Sequence, residues 1–187
     1  MVRLAVTPQT SLSKDDWLRA AMELLRTRGI GGVRVLTLAQ NLRVSRGSFY
    51  WHFEDRQDLL DGILEWWDRE MTDVVIDRVR AARGGGKKRL LLAAENIVVN
   101  GLSKYDSAIR SWAEADKKAA KVLRRVIRKR LGYISSLFED AGFPPGEARA
   151  RGELLAIYLM GEAAIHIEES LDARLRLVRR QVRSLTR

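Results

Sequence analysis

The fourteen residues 43–56, RVSRGSFYWHFEDR, hold four aromatics, one histidine and three arginines. Their spacing separates them into two faces. Phe49 and Phe53 lie one helical turn apart and, with Val44, suit an inward face. Tyr50, Trp51 and His52 are consecutive, so on a helix they cannot all turn toward one core. Arg46, Gly47, Ser48, Tyr50, Trp51 and His52 therefore remain for the outward and flanking faces. That set suits duplex DNA. The fork of Arg46 matches a guanine edge. Gly47 and Ser48 are small enough for a helix to lie deep in a groove. Tyr50, Trp51 and His52 can touch thymine methyls or donate to phosphates. Arg56 opens the next helix, where its charge and the helix N-terminus can together hold a phosphate.

Other chemistries find less support. A metal at His52 would need partners, yet the chain has no cysteine and its second histidine is His166, far away in sequence. No nucleophile elbow, histidine–carboxylate cluster or metal spacing is present, so the sequence predicts neither enzyme activity nor a cofactor. GGGKK at 84–88 fails the spacing of a phosphate-binding loop, because Ala81 stands where the first glycine belongs and Lys88 where the hydroxyl belongs.

The elements that must position residues 43–56 follow from the apolar period. Residues 1–12 read as a loose arm. Ser13 with Asp16 forms a capping box, and Trp17, Ala21, Leu24 and Leu25 make the core stripe of a helix that ends at Gly29, with GIGG as the turn. A short helix spans about 35–42, with Leu38, Ala39 and Leu42 on one side. Ser45 caps a second short helix that reaches about Phe53. Two short helices joined by a brief turn, after a longer amphipathic one, form a helix-turn-helix, whose second short helix enters the major groove. Asp55 caps a long fourth helix, in which Leu60, Ile63, Leu64, Trp67, Met71, Val74 and Val75 hold the 3.6 period. RGGGKKR at 83–89 reads as a flexible joint. Helices are predicted beyond it at about 88–102, 106–115, 116–141, 146–166 and 170–185. No alternating strand pattern occurs, so the fold is predicted to be all-α with about nine helices.

The composition is consistent with this. The chain has 187 residues, 46% of them apolar and 31% charged, which suits a folded and soluble protein. The longest apolar run, LLAIYLMG at 154–161, is too short to cross a membrane. With no secretory signal and no cysteine, the expected location is cytoplasmic. The net charge of +10 and a pI near 10.4 favour a polyanionic partner. The basic run Lys117–Arg130 reads as a solvated face or, alternatively, as a patch that steers the protein toward DNA.

LAQNLRVSRGSFYWHFEDRQDLL resembles the DNA-binding domain of the TetR family of bacterial transcription regulators; the likeness spans Trp17 to Leu60. Its most specific part is the S-x-x-x-Y-x-HF core, followed by a charged pair and DLL. The resemblance implies recognition-helix contacts at Arg46, Gly47, Ser48, Tyr50, Trp51 and His52, and backbone contacts at Thr37 and Arg56. Two positions depart from the family pattern. Arg43 replaces the usual turn glycine, and Val35 stands where many members carry threonine. A looser likeness to the C-terminal domain of one TetR-like subgroup runs through YDSAIRSWAEADKKAAKVLRRVIRKRLGYISSLFEDAGFPP, where Ser107 replaces the usual proline of a D-P-x-x-R-x-W-A element.

From this likeness the chain is expected to hold a helix-turn-helix DNA-binding domain at 1–55 and a helical effector-binding and dimerisation domain at 56–187. The implied partners are a double-stranded DNA operator, a small-molecule effector and a second copy of the chain. Pairing is expected through 146–166 and 170–185, with Gly152, Ala156 and Ala163 allowing close approach. The stripe Leu171, Leu175, Val178, Val182 and Leu185 is either core or interface. Trp66, Trp67, Tyr105, Trp112, Tyr158 and Met160 are the candidate lining of an effector pocket. The implied function is a ligand-responsive homodimeric repressor on a pseudo-palindromic operator. The alternative is an architectural DNA-binding protein without an effector.

Overall fold

The computed structural model describes residues 12–166 and 168–187, so the arm read at 1–12 lies, but for Leu12, outside the described residues. The order is α1 (Lys14–Gly32), α2 (Val35–Leu42), a 3₁₀ helix (Arg46–Trp51), α3 (Arg56–Asp68), a π-turn (Arg69–Asp73), α4 (Val74–Ala81), α5 (Gly86–Val99), α6 (Leu102–Ala115), α7 (Lys117–Glu139), α8 (Pro145–Ile165) and α9 (Leu171–Leu185). The described residues hold no strand and nine α-helices, as the sequence predicts.

α1 begins on the expected capping box. The Asp16 N–H donates to Ser13 Oγ at 3.2 Å, and the Ser13 N–H donates to Asp16 Oδ2 at 2.9 Å. These two bonds satisfy donors that a helix start leaves unpaired. The helix breaks at Gly29, whose φ of 64° suits a residue without Cβ. α3 starts on Asp55, which accepts from the Asp58 N–H at 2.9 Å.

Two hydrophobic clusters hold the fold. The first joins Trp17, Leu18 and Leu25 of α1 with Leu38, Phe49, Phe53 and Leu59–Leu64, and it continues into Trp112 of α6 and Leu123 of α7. The second joins Val79, Leu90, Phe138, Leu155, Val178 and neighbours from α4, α5, α7, α8 and α9. α6 and the first half of α7 thus pack with the N-terminal helices, while α7 runs on into the second cluster.

Three elements differ from their sequence reading. Ser45 occupies the N-cap position, but its hydroxyl shares a hydrogen bond with Ser48 Oγ at 3.1 Å instead of capping, and the helix is a 3₁₀ turn ending at Trp51. The fourth helix is not continuous: a π-turn adds a residue at 69–73. α7 clamps both of its ends. Lys129 Nζ donates to Asp68 Oδ1 (2.6 Å) and Asp73 Oδ1 (2.9 Å), and Arg125 Nη2 to Asp68 Oδ2 (3.0 Å). Burial works against the Lys129 ammonium, but the bonds it donates to Asp68 and Asp73 hold its pKa above the ordinary value. The joint read at 83–89 is a packed corner. Gly86 is buried in the first turn of α5, and a Cβ there would stand 2.2 Å from the Leu137 carbonyl oxygen of α7.

Candidate functional site

The turn between α2 and the 3₁₀ helix is a Schellman closure. The Arg43 N–H reaches the Gln40 carbonyl at 3.1 Å, and the Val44 N–H reaches the Ala39 carbonyl at 3.0 Å. The closure needs a left-handed residue, and Arg43 takes it with φ 56° and ψ 41° in place of glycine. This turn aims the 3₁₀ helix. Phe49 anchors it, edge-on to Trp17 (5.6 Å) and stacked on Phe53 (5.1 Å). Both phenylalanines are buried, while Val44 and Ser48 are half-buried.

The inward anchor leaves the rest outward. Tyr50 is 52% exposed and Trp51 87%. Arg46 lies along the same face, its Nη2 donating to Tyr50 Oη at 3.2 Å with the guanidinium 6.0 Å from the ring centre. Charge and aromatic edge are thus arranged before any partner arrives. Gly47 is exposed, and the nearest atom to a Cβ added there would be Ser45 Oγ at 3.6 Å. His52 is half-buried and tilts toward Trp17 at 6.4 Å, so it sits at the edge of the face. Thr37 is half-buried in α2. Arg56 is exposed, but its Nε donates to the Val33 carbonyl (2.8 Å) and its Nη2 to the Ile30 carbonyl (3.0 Å). It clips the α1–α2 turn to α3.

A cavity of about 320 Å³ lies between the π-turn and helices α4–α8, with walls that are mostly aliphatic. Of the six residues expected there, Trp67 and Met160 line it. Trp66, Tyr105, Trp112 and Tyr158 do not, because their helices turn them elsewhere. Trp66 is buried in the first cluster. On α6, Tyr105 and Trp112 face α1: the Tyr105 hydroxyl donates to the Glu23 carboxylate, and Trp112 packs in the first cluster. Burial works against the Glu23 charge, yet the bonds from Tyr105 and Arg26 hold its pKa below the ordinary value. Tyr158 packs against the second cluster, and burial raises its hydroxyl pKa.

Asp106 and Arg110, one turn apart on α6, face the cavity instead. Asp106 accepts from the Trp67 indole N–H (2.9 Å) and from Arg130 Nη1 (2.6 Å). Arg130 also donates to Thr72 Oγ1 (2.8 Å) and to the Met71 carbonyl (3.0 Å), stacking 5.0 Å from the Trp67 ring. It therefore ties the π-turn to α6. This network was not foreseen from the sequence. Its one signal was the D-x-x-x-R spacing at 106–110, which places both charges on one face of a helix.

The C-terminal helices differ in detail from the expected pairing surface. Leu175, Val178, Val182 and Leu185 of α9 face the second cluster, so most of that stripe is core. Gly152 packs against α7, where an added Cβ would meet Ser135 Oγ at 3.0 Å, and Ala156 lines the cavity. Gly152 is buried and Ala156 is half-buried. Ala163 is half-buried. The exposed large apolar residues of α8 are Leu154 (57%), Ile157 (62%), Met160 (40%) and Ile165 (75%). No helix among the described residues is long and apolar enough to cross a membrane.

The family model described as bacterial regulatory proteins, tetR family, matches residues 18–63. Over 56 residues the chain is 38% identical to the class A tetracycline repressor of transposon 1721 from Escherichia coli, covering 30% of this chain and 26% of that one. It is 36% identical over 61 residues to the class G tetracycline repressor from Vibrio anguillarum, covering 33% and 29%. The chain thus spans little more than a quarter of the length of these relatives. The whole fold resembles a TetR transcriptional regulator from Legionella pneumophila (TM-score 0.77, 12% identity, 97% of this chain and 98% of that one). It also resembles a TetR-family regulator from Streptomyces coelicolor (TM-score 0.75, 16% identity, 93% and 89%). The sequence match covers the helix-turn-helix and the start of α3, and the structural likeness extends over nearly the whole chain. Residues 18–63 thus match the tetR family of bacterial regulatory proteins, and the chain as a whole shares the fold of the TetR-family structures.

Proposed function

We propose that the chain is a sequence-specific transcriptional regulator, a homodimeric repressor that leaves a pseudo-palindromic operator when a small molecule fills the cavity. The observation that carries this reading is the face made by Arg46, Tyr50 and the 87% exposed Trp51, held out by a buried Phe49. A large aromatic so exposed beside an arginine suits a partner that offers both base edges and phosphates. Arg46, Gly47, Ser48, Tyr50, Trp51 and His52 are the proposed base and groove contacts, with Thr37 and Arg56 on the backbone. The relatives matched over the same residues are repressors by name.

The division into a DNA-binding unit (1–55) and an effector and dimerisation unit (56–187) is functional in this reading, since the first cluster crosses it. Two elements couple the units. α3 follows the recognition turn and leads through the π-turn into the cavity wall at Met71, Thr72, Val75 and Ile76. α6 presents Asp106 to the cavity and Tyr105 to α1. A ligand that fits the cavity better in one arrangement of these elements shifts the population toward it, and with it the spacing of two recognition turns. The second copy pairs on the exposed α8 residues Leu154 and Ile165, which lie outside the cavity lining.

The test is selection of bound fragments from random duplex DNA at physiological salt, followed by the mass of the complex. The expected result is a pseudo-palindrome with half-sites about 34–36 Å apart, or a multiple, carrying two chains. Tight binding only at low salt with no motif recovered would mean that the +10 charge does most of the binding. The architectural alternative would then replace this reading.

A further inference from the structure

Resting on the reading of the cavity as an effector site, we propose that its ligand is an amphiphile with an anionic head: a carboxylate or similar group on Arg110 at the mouth, with an alkyl or aryl tail along the aliphatic wall. The charged and polar groups of the lining decide the sign. Asp106 already accepts from Trp67 and Arg130. Arg130 spends its donors on Asp106, Thr72 and the Met71 carbonyl. The Tyr133 hydroxyl donates to the Ile76 carbonyl at 3.4 Å. Glu153 is paired with Arg149 Nε at 3.1 Å, on α8 itself.

Arg110 is the remaining charge. Among the described residues, the hydrogen-bond partner of its guanidinium is the Met160 sulfur at 3.2 Å, a weak acceptor. Arg110 is exposed while also lining the cavity, so it stands at the mouth, beside Met160 and Ile157. An anion there gains charge-assisted hydrogen bonds and stays in contact with water, so it avoids the cost of burial. Inward, the wall is made of side chains such as Ile97, Leu123, Ile127 and Leu159, with Val75 and Ile76 next to the π-turn. A tail reaching that depth touches the segment that leads to α3. A neutral apolar ligand would leave Arg110 with only the thioether, and a cation would meet it as a like charge.

The experiment is calorimetric titration of the full chain with decanoate, decanol and decyltrimethylammonium, each below its micelle concentration. The proteins are the wild type, Arg110→Gln and Arg110→Glu; the site is exposed, so all three should fold. Decanoate is expected to bind wild type about tenfold tighter than decanol, as charge-assisted hydrogen bonds of this kind provide. Arg110→Gln is expected to remove that preference while retaining decanol, and Arg110→Glu to favour the ammonium. Equal binding of decanoate and decanol to wild type overturns the anionic assignment and leaves the cavity an effector site. So does a preference that survives Arg110→Gln, or tightest binding of the ammonium. Failure of all three probes to bind overturns both the assignment and the effector reading on which it rests.

Discussion

Gly47 illustrates how a residue can be small for its surface rather than its backbone. Its φ is not left-handed, and a Cβ would meet Ser45 Oγ at an ordinary 3.6 Å. Gly47→Ala is therefore expected to leave thermal stability unchanged or slightly raised, by up to about 0.5–1 kcal/mol. Affinity for the selected duplex should fall, because the added methyl stands between the turn and the groove floor; unchanged affinity would mean the turn does not approach the bases closely. Arg43 shows the reverse case. It is the one non-glycine residue with positive φ among the described residues, and the Schellman turn requires that conformation. The left-handed state costs an ordinary residue roughly 1–2 kcal/mol, against a smaller entropic cost for glycine. Arg43→Gly is expected to raise the urea midpoint, by about 0.5–1 kcal/mol in stability. A lower midpoint would mean that the arginine side chain contributes more to the fold than its backbone strain removes.

At the scale of elements, Gly86 carries the sharpest prediction. The α5–α7 crossing brings the Leu137 carbonyl where a Cβ would stand, and backbone cannot swing aside as a side chain can. Gly86→Ala should cost about 1–3 kcal/mol or more, read as a lower melting temperature; a stability equal to wild type would show that this corner yields. The sequence could not reveal this packing, because three consecutive glycines carry the same local signal whether they hinge or pack. Helices were legible because burial imposes a 3.6 period on Trp17, Ala21 and Leu24, or on Leu60, Ile63 and Leu64, and because Ser13 and Asp55 bear local capping chemistry. The π-turn was not legible, since what holds it is Lys129, remote in sequence from Asp68. Pocket residues failed for a related reason. Tyr105 and Trp112 have the size for a ligand site, but the rotation of α6, set by its contact with α1, gives the cavity Asp106 and Arg110 instead. The outward placement of Tyr50 and Trp51 was legible because three consecutive large residues cannot share one inward direction.

Across the whole molecule, the proposed function rests on two exposed features: the apolar side of α8 and the aromatic, basic face of the 3₁₀ helix. Leu154 and Ile165 are exposed and lie outside the cavity lining, so replacing both with glutamate should leave the fold intact. The wild type is expected to sediment as a dimer and the double variant as a monomer. The double variant should also bind a two-half-site duplex no better than a single half-site; a variant that remains dimeric would place the pairing surface elsewhere. The central claim is that the 3₁₀ helix reads bases rather than only phosphates, and Arg46 tests it most directly. The measurement is DNA selection with Arg46→Ala beside wild type at the same salt. Loss of preference at one position in each half-site, costing roughly 1–3 kcal/mol there while the rest of the motif persists, is the predicted result. An unchanged motif bound uniformly more weakly would contradict it and make Arg46 a phosphate contact.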